Sequence, residues 1–426
     1  MQVLIAALGS AGDVHPFVGI GRALADRGHA VIVSANPVFE PLVERCGRAF
    51  RAIGSKEDYL NAMNDPTLWA PRTSLRTLWR AMAREMRPLF DLVAREAGDD
   101  MVVIGSLWAF GARLAQEKLG LPYLSAQVSP STLFSARLPP VHPRFGLPRG
   151  MPVAMNAACI RMIEFAVLDR VFGPALNGLR RELGLAPVAR IMSRWMHSPQ
   201  GVLGLFPDWF APRQDDWPAA FVSCGFPLFD VGDLESLDAG LREFLQLGPP
   251  PVIVTPGSTA LHGPGFLRAA VRALQALGQR AVLLGADAVA LGELPESMEA
   301  RRYVPLSLLL PHSAALLHHA GIGTSALGLA AGLPQVVTPF AHDQFDNAAR
   351  LARLGVGTTV KAPSATALAQ ALGRALGDPA IAQACHLRRQ LVESPAAARS
   401  HAVAAIEALH PSSRAIFQGV PAHVDA

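Results

Sequence analysis

Apolar residues along this chain occur in two registers: short unbroken runs, and longer stretches in which they return at helical spacing. The first run, residues 3–8, has the form of a strand buried on both faces. It ends in Gly9-Ser10-Ala11-Gly12-Asp13, a turn of the phosphate-loop kind. Pro16 suits the first turn of a helix, Phe17, Ile20 and Leu24 recur at helical spacing, and Arg27-Gly28-His29 stops it. A second strand follows at 30–34. Further runs at 101–104, 123–126 and 201–206 alternate with helical stretches, which predicts a parallel sheet with right-handed crossovers. A new strand at 252–255 again passes into a glycine turn, Pro256-Gly257-Ser258-Thr259, and apolar runs at 314–317 and 332–339 continue the second half. The pattern predicts two Rossmann-like α/β domains, residues 1–226 and 252–395. Between them lies a linker at 227–251, and after them a segment 396–426 with a helix at 403–409 and a fraying end. The halves share an architecture but too little identity to be an internal repeat.

The clearest amphipathic stretch is 75–93. Leu75, Leu78, Trp79, Met82, Met86, Leu89 and Val93 line one face, and Arg76, Arg80, Arg84 and Arg87 fall largely on another. The plain reading is a core stripe with a solvated basic face; the alternative is contact with an anionic acceptor or a membrane surface. Residues 139–152 are proline-rich yet apolar, which predicts an ordered loop shaping a cleft rather than a free tether.

At 426 residues the chain exceeds one ordinary core, and with half its residues apolar and 17% charged it has ample material to bury. The net charge of +4 is mild and its basic residues are scattered, so nucleic acid is not an expected partner. Cys46, Cys159, Cys224 and Cys385 stand far apart, without the close pairs of a zinc or redox site, and read as buried thiols in a reducing compartment. Met1 leads straight into an apolar strand with no basic region before it, and no stretch approaches the roughly 20 apolar residues of a membrane span. The expected location is cytoplasmic.

Gly9-Ser10-Ala11-Gly12 invites a dinucleotide-cofactor reading, but the third glycine of that fingerprint is missing. Ser34-Ala35-Asn36 also stands where a ribose-binding acid belongs, so a nicotinamide enzyme is disfavoured. Asp13, at the carboxyl edge of the first strand, is either a general base or a helix cap. The strongest constellation is His319-Ala320-Gly321-Ile322-Gly323-Thr324. Its two glycines admit a ligand close to the backbone, while a hydroxyl, a helix N-terminus and a histidine supply donors, as a diphosphate cradle requires. Downstream, Asp343 beside Gln344 suits the vicinal hydroxyls of a sugar.

Gly-Ser-x-Gly-Asp-Val-x-Pro-Phe at the start, the Arg-Gly-His-x-Val turn, His-x-Gly-x-Gly-Thr and Asp-Gln-x-x-Asn-Ala occur here in one order across nearly the whole chain. In this the sequence resembles the GT-B nucleotide-sugar glycosyltransferases of glycosyltransferase family 1. That likeness implies two facing Rossmann-like domains with parallel sheets and an interdomain cleft. It makes Asp13 the base that deprotonates the acceptor and assigns His319, Gly321, Gly323, Thr324 and Ser258 to the donor's phosphates, with Gly12 also among the donor-binding residues. Val304 and Leu306 would then meet the nucleobase, and Asp343 and Gln344 the donor sugar. His15, Trp108, Ser129 and Phe134 fall on the acceptor side; for His15 a surface histidine is an equal alternative.

Within the family the stretches 105–109, 124–132, 195–201 and 341–347 are similar to the rhamnosyltransferases of rhamnolipid biosynthesis. That likeness implies inverting transfer of L-rhamnose from dTDP-L-rhamnose to a 3-(3-hydroxyalkanoyloxy)alkanoic acid. It implies no cofactor or metal, and no Asp-x-Asp metal motif is present. It also implies possible partners in the acyltransferase that makes the acceptor and in the inner membrane surface. Trp69, Trp79, Met82, Met86, Phe90, Trp108 and Phe134 are candidates for an acyl-chain trough, with core packing the plainer fate of most. Plant relatives that use UDP sugars carry a glutamate eight positions after the cradle histidine for the ribose hydroxyls. Leu327 stands there instead, which favours a deoxyribose donor. The competing readings are another dTDP- or UDP-sugar with a macrolide, sterol or other hydrophobic acceptor, an epimerase or phosphorylase on the same fold, and a non-catalytic lipid-binding or partner subunit. A phosphorylase needs a cofactor lysine, and Lys56, Lys118 and Lys361 all lie outside the cradle motifs.

Overall fold

The computed structural model describes residues 1–142, 146–148, 150–257, 264–285 and 292–410. Two all-parallel sheets organise it. The first contains β1 (Gln2–Ala6), β2 (Ala30–Ala35), β3 (Ala49–Ala52), β4 (Met101–Gly105), β5 (Tyr123–Gln127), β6 (Val202–Gly204) and β7 (Phe221–Ser223), in the order β3-β2-β1-β4-β5-β6-β7. The second contains β8 (Val252–Thr255), β9 (Ala281–Leu284), β10 (Met298–Arg301), β11 (Ala315–His318), β12 (Gln335–Val337) and β13 (Gly357–Thr359), in the order β10-β9-β8-β11-β12-β13. Both orders reverse direction after the first strand of their half, between β1 and β4 and between β8 and β11. In open α/β sheets ligands bind outside the carboxyl ends of the strands at such a switch point.

The central strands read as unbroken apolar runs because helices cover both sheet faces. Val3, Leu4 and Ile5 in β1 are fully buried and pair with Val31 to Val33 on one side and Val102 to Ile104 on the other. One face of the first sheet packs on the helix Ala11–Asp26 through Val14, Phe17, Ile20 and Leu24. The helix Pro395–Glu407 returns to this same core through Ala402, Val403 and Ile406, so the end of the chain packs on its beginning. The other face packs on Ser74–Glu96 and Phe110–Leu119. A further apolar cluster joins the halves: Phe206, Phe210, Trp217 and Phe226 meet Ala320, Ile322, Ala326, Ala348 and Leu351.

The two-sheet α/β architecture matches the reading of the pattern, with differences at the margins. β3, β7, β10 and β13 are not among the predicted strands. They are short, and β3 and β10 carry Arg51, Glu299 and Arg301 in place of an apolar run, since an edge strand has less to bury. β9, by contrast, is fully apolar and carries the same signal as β8. The stretch 227–251 holds the helix Ala239–Gln246, whose Leu241 and Phe244 pack beneath β8 and β9. Cys46, Cys224 and Cys385 are buried and Cys159 is partly so. Among the described residues no helix is long and apolar enough to cross a membrane. Arg76, Arg80, Arg84 and Arg87 are all exposed. Ser258 lies outside the described residues.

Candidate active site

The two switch points open onto one cleft of about 960 Å³. Its first wall comes from the turn after β1, the helices Lys56–Asn64, Pro66–Trp69 and Ser74–Glu96, and the segments following β4 and β5. Its second wall comes from the ends of β8 and β9, the loop after β10, and the turns that follow β11 and β12.

On the first wall the chain leaves β1 through Gly9, whose φ of 132° belongs to glycine. A Cβ there would stand 2.5 Å from Asp13 Oδ2, so the residue is glycine because the Asp13 carboxylate occupies that space. Ser10 caps the helix Ala11–Asp26, and Asp13 is its third residue. Asp13 Oδ2 accepts the Ser10 backbone N–H at 2.8 Å and the Ser10 hydroxyl at 3.0 Å. The cap reading of Asp13 is therefore seen directly, since one oxygen closes the cap, and the residue also lines the cleft, where a base would have to stand. Burial raises its pKa above the ordinary aspartate value, against the two Ser10 hydrogen bonds, so it is a stronger base than a surface carboxylate. Gly12 is exposed, and among the described residues only Ser10 Oγ, at 3.8 Å, is found near its missing Cβ.

His15 is not a free surface histidine. It lines the cleft, meets Phe39 edge-on at 6.3 Å, and has a pKa lowered by burial against the pull of Asp230. Tyr59 completes this group, 5.7 Å from Phe39; burial and the Asp13 charge push its hydroxyl up to about 12. Trp108 and Phe134 line the cleft, as do Trp69 and Met82. Trp79, Met86 and Phe90, the other trough candidates, belong to the core beneath instead. Ser129 borders the cleft but is buried, and its hydroxyl reaches Asn347 Oδ1 at 3.4 Å, a contact from one half of the chain to the other.

On the second wall, β11 ends in His318-His319-Ala320-Gly321. His318 is fully buried; its Nδ1 accepts the Ala320 N–H at 3.2 Å, which leaves Nε2–H to donate to Gln335 Oε1 at 2.9 Å. That pair holds Ala320 at a φ of 68°, a left-handed position that costs free energy outside glycine. His319 packs between Gly257 and Gly321: a Cβ at Gly257 would collide with its Cε1 and a Cβ at Gly321 with its Nε2. Gly321 thus makes room for the histidine, whereas no atom of the described residues outside its own helix backbone and chain neighbours lies within 4 Å of the missing Cβ of Gly323. Burial holds the His319 pKa down to about 4, with a Thr255 backbone bond opposing, so the ring is neutral and supplies a hydrogen bond rather than a charge. Among the described residues its buried Nδ1 has no hydrogen-bond partner.

The helix Ile322–Ala331 starts here with Gly321 as its cap and no acidic residue in its first turn. The unpaired N–H groups of that turn lie beside Gly321, Ile322, Gly323 and Thr324, all of which line the cleft. Among the described residues of this wall, the sequence had named Val304, Leu306, Asp343 and Gln344, and all four line the cleft. Gln344 spends its carbonyl on the Phe340 and Ala341 N–H groups at 2.9 and 3.0 Å, so it fixes the turn after β12. Asp343 accepts from Asn347 Nδ2 at 2.8 Å; burial and, to a smaller extent, the Asp13 charge raise its pKa to about 6. His342, just before them, has a φ of 51° and takes the edge of Trp69 at 5.6 Å from the first wall. Tyr59, Gly257, Arg302 and His342 also line the cleft but were not identified as site residues from the sequence; Arg80 and Arg84 line it too, where the sequence offered contact with an anionic acceptor only as the alternative to a solvated face. Only Gly257 had a clear signal, a glycine directly after an apolar strand.

Residues 3–136 match the family model for the glycosyltransferase family 28 N-terminal domain, and residues 278–408 that for the erythromycin biosynthesis protein CIII-like C-terminal domain. The chain is 30% identical over 423 residues to O-mycaminosyltylonolide 6-deoxyallosyltransferase of Streptomyces fradiae, covering 94% of each chain. Among solved structures, the kitacinnamycin glycosyltransferase is similar with a TM-score of 0.74 at 22% identity, covering 96% of this chain and 99% of that one. The spinosyn rhamnosyltransferase SpnG, complexed with thymidine diphosphate, is similar with a TM-score of 0.64 at 20% identity, covering 93% and 98%. A likeness that spans both halves at this level, on two sheets that meet at one cleft, has a single meaning: the chain belongs to the GT-B glycosyltransferases of the family 28 and erythromycin-CIII-like type, and it is a glycosyltransferase.

Proposed function

We propose that this glycosyltransferase moves L-rhamnose from dTDP-L-rhamnose to the hydroxyl of a 3-(3-hydroxyalkanoyloxy)alkanoic acid, with inversion and without a metal. The observation that carries the reading is that a carboxylate and a glycine-lined helix N-terminus face the same cleft from opposite halves of the chain. Asp13 takes the proton of the acceptor hydroxyl as its oxygen attacks the anomeric carbon from the side away from the nucleotide. The bond to the diphosphate oxygen breaks with its electron pair. The growing charge is met by the first-turn N–H groups of Ile322–Ala331, the Thr324 hydroxyl and the neutral His319 ring. Asp343 and the Gln344 amide grip the sugar, and Val304 and Leu306 border the base. Closure of the cleft around both substrates excludes the water that would hydrolyse the donor.

The donor assignment draws on Leu327, which lines the cleft where an acid would serve a ribose 2′-hydroxyl, and on a relative named for a 6-deoxyhexose. A thymidine diphosphate complex of a structural neighbour agrees with it. The acceptor assignment draws on the apolar border formed by Leu68, Trp69, Leu78, Met82, Trp108 and Phe134. The second reading keeps the chemistry and changes the substrates, to another dTDP- or UDP-sugar on a macrolide, sterol or other hydrophobic acceptor. It is favoured by the same relative, whose printed name specifies a different sugar and acceptor.

One assay separates them. The purified chain is given dTDP-L-rhamnose or UDP-glucose with 3-(3-hydroxydecanoyloxy)decanoic acid, and products are weighed by mass spectrometry. A mono-rhamnosyl product from the thymidine donor alone is expected, undiminished by chelator. Sugar transfer only to a macrolide or sterol would select the second reading, and failure to bind any nucleoside diphosphate would leave a non-catalytic subunit.

A further inference from the structure

The first wall of the cleft carries two cations that the reaction above does not use. Arg80 and Arg84 are one turn apart on the helix Ser74–Glu96, and both line the cleft. Their neighbour Arg87 is occupied, paired with Asp91 at 2.9 Å and with Glu182 at 3.5 Å. Among the described residues no carboxylate stands within ion-pair distance of Arg80 or Arg84. Arg76, Arg80 and Arg84 repeat a positive charge every fourth residue, an arrangement that repels itself along a helix face. The acids nearby are engaged elsewhere. Asp58 accepts the Ser55 hydroxyl at 2.6 Å, and Asp65 caps the Thr67 N–H at 2.8 Å. Glu85 lies over Gly54, where a Cβ would be 2.9 Å from its Oε1; burial and the charge of Asp58 favour its neutral form, with Arg84 opposing. Beside the two arginines the same helix offers Leu78, Ala81 and Met82 to the cleft, and Leu68 and Trp69 continue that apolar strip.

We propose that Arg80 and Arg84 form a clamp for a carboxylate, so that the acceptor this cleft takes is an anionic amphiphile whose free acid group is held at the rim while its apolar body lies along the wall. The inference rests on the reading that the first wall receives the acceptor. Two guanidinium forks one helical turn apart present planar donors suited to bidentate binding of a carboxylate, and the apolar strip next to them removes water from one side of the pair. Because the arginines border a concave cleft, a single molecule with one acid group fits them better than the flat surface of a bilayer.

Binding is measured by titration calorimetry with 3-(3-hydroxydecanoyloxy)decanoic acid and with its methyl ester, which removes the charge and adds a single methyl group. The unaltered chain is expected to bind the acid about tenfold more tightly than the ester. The Arg80→Gln/Arg84→Gln variant is expected to bind the two alike, and the Arg80→Lys/Arg84→Lys variant to keep a preference for the acid. Equal binding of acid and ester by the unaltered chain would overturn the clamp, as would a preference that survives both glutamines. Loss of adsorption to anionic phospholipid vesicles in the glutamine variant, with the acid preference intact, would also overturn it, assigning the arginines to a membrane surface. Preferential binding of the acid through these arginines without sugar transfer would keep the clamp and remove the rhamnosyl reading. Transfer to acid and ester with equal affinity would do the reverse.

Discussion

The two switch points of this enzyme are built on one plan and differ in a single chemical choice. In each half an apolar strand runs into a turn and then a helix, and the first residues of those helices align as Ser10-Ala11-Gly12-Asp13 and Gly321-Ile322-Gly323-Thr324. Gly12 and Gly323 take the same place, and so do Asp13 and Thr324. In the first half the third helical residue is a carboxylate that folds back onto its own cap, so the positive end of that helix already has an anion. In the second half the residue is a hydroxyl and the first turn contains no acid, so that helix end is left for an external anion. The comparison teaches how the opening turn, which has the look of a phosphate loop, differs from the second: a carboxylate of its own already stands at its helix end. On the proposed mechanism, one architecture thereby supplies a base on one side of the cleft and a diphosphate cradle on the other.

The largest expected effect comes from removing the charge on the first side. Asp13→Asn retains a side chain that can hold the Ser10 cap but has no basic oxygen. Turnover is expected to fall by on the order of 1,000-fold, while thymidine diphosphate binding measured by calorimetry stays unchanged. A parallel loss of nucleotide binding would mean that the cap, and not the base, is the reason for the residue.

Next comes the reverse exchange. Thr324→Asp gives the second helix the internal anion that the first possesses. Thymidine diphosphate affinity is expected to drop by on the order of 100-fold, through lost charge-assisted hydrogen bonds and direct repulsion of the phosphates. The melting temperature is expected to hold, since an acid in the first turn suits a helix. Retained affinity would show that the diphosphate does not lie on this helix end, and the proposed contrast between the halves would go with it.

Much of this was legible in the chain because the strongest local signals are those that buried parallel strands and glycine turns must leave. β1, β4, β8 and β11 are apolar apart from Gln2, Thr255 and His318 at strand ends, and the cradle follows its strand directly. What sequence alone did not supply is the reason for individual glycines. Gly9 serves Asp13, and Gly257 and Gly321 serve His319. Gly257 and His319 stand sixty-odd positions apart along the chain, and only the fold brings that pair together. The edge strands were also invisible, because an edge buries too little to demand an apolar run. Trp69 and His342 face each other from opposite walls, and no local pattern announces a contact between two such distant loops.

A smaller effect tests whether the two walls communicate. Asp343, with its pKa raised to about 6, feels the charge of Asp13, so by reciprocity an ionised Asp343 makes Asp13 harder to ionise. A base must be deprotonated to act, so the rate falls as pH drops through the raised pKa of Asp13. Asp343→Asn removes the opposing negative charge, and the acid limb of kcat/KM is expected to move to lower pH. The asparagine also weakens the grip on the sugar, so KM for the donor rises at every pH, and only the position of the limb reports on the coupling. A limb that stays in place would show that Asp13 and Asp343 titrate independently.

The smallest effect concerns the nucleoside. Leu327 lies two positions beyond Ser325 on the cradle helix, lines the cleft, and packs partly against the cluster of Val304, Leu309 and Leu310. If the donor is a deoxyribonucleotide, an apolar side chain there leaves no polar group stranded, whereas a ribose would bring a hydroxyl with no partner. The decisive pair of ligands is thymidine diphosphate and 5-methyluridine diphosphate, which share their base and differ at the 2′ position. Leu327→Glu is expected to shift the ratio of their inhibition constants towards the ribonucleotide by roughly fivefold, less than a full charged hydrogen bond because the new carboxylate must sit beside an apolar cluster. Leu327→Gln, which keeps the length and removes the charge, is expected to shift it less. A ratio unmoved by either variant would place the ribose away from this residue and separate the choice of nucleoside from the second switch point.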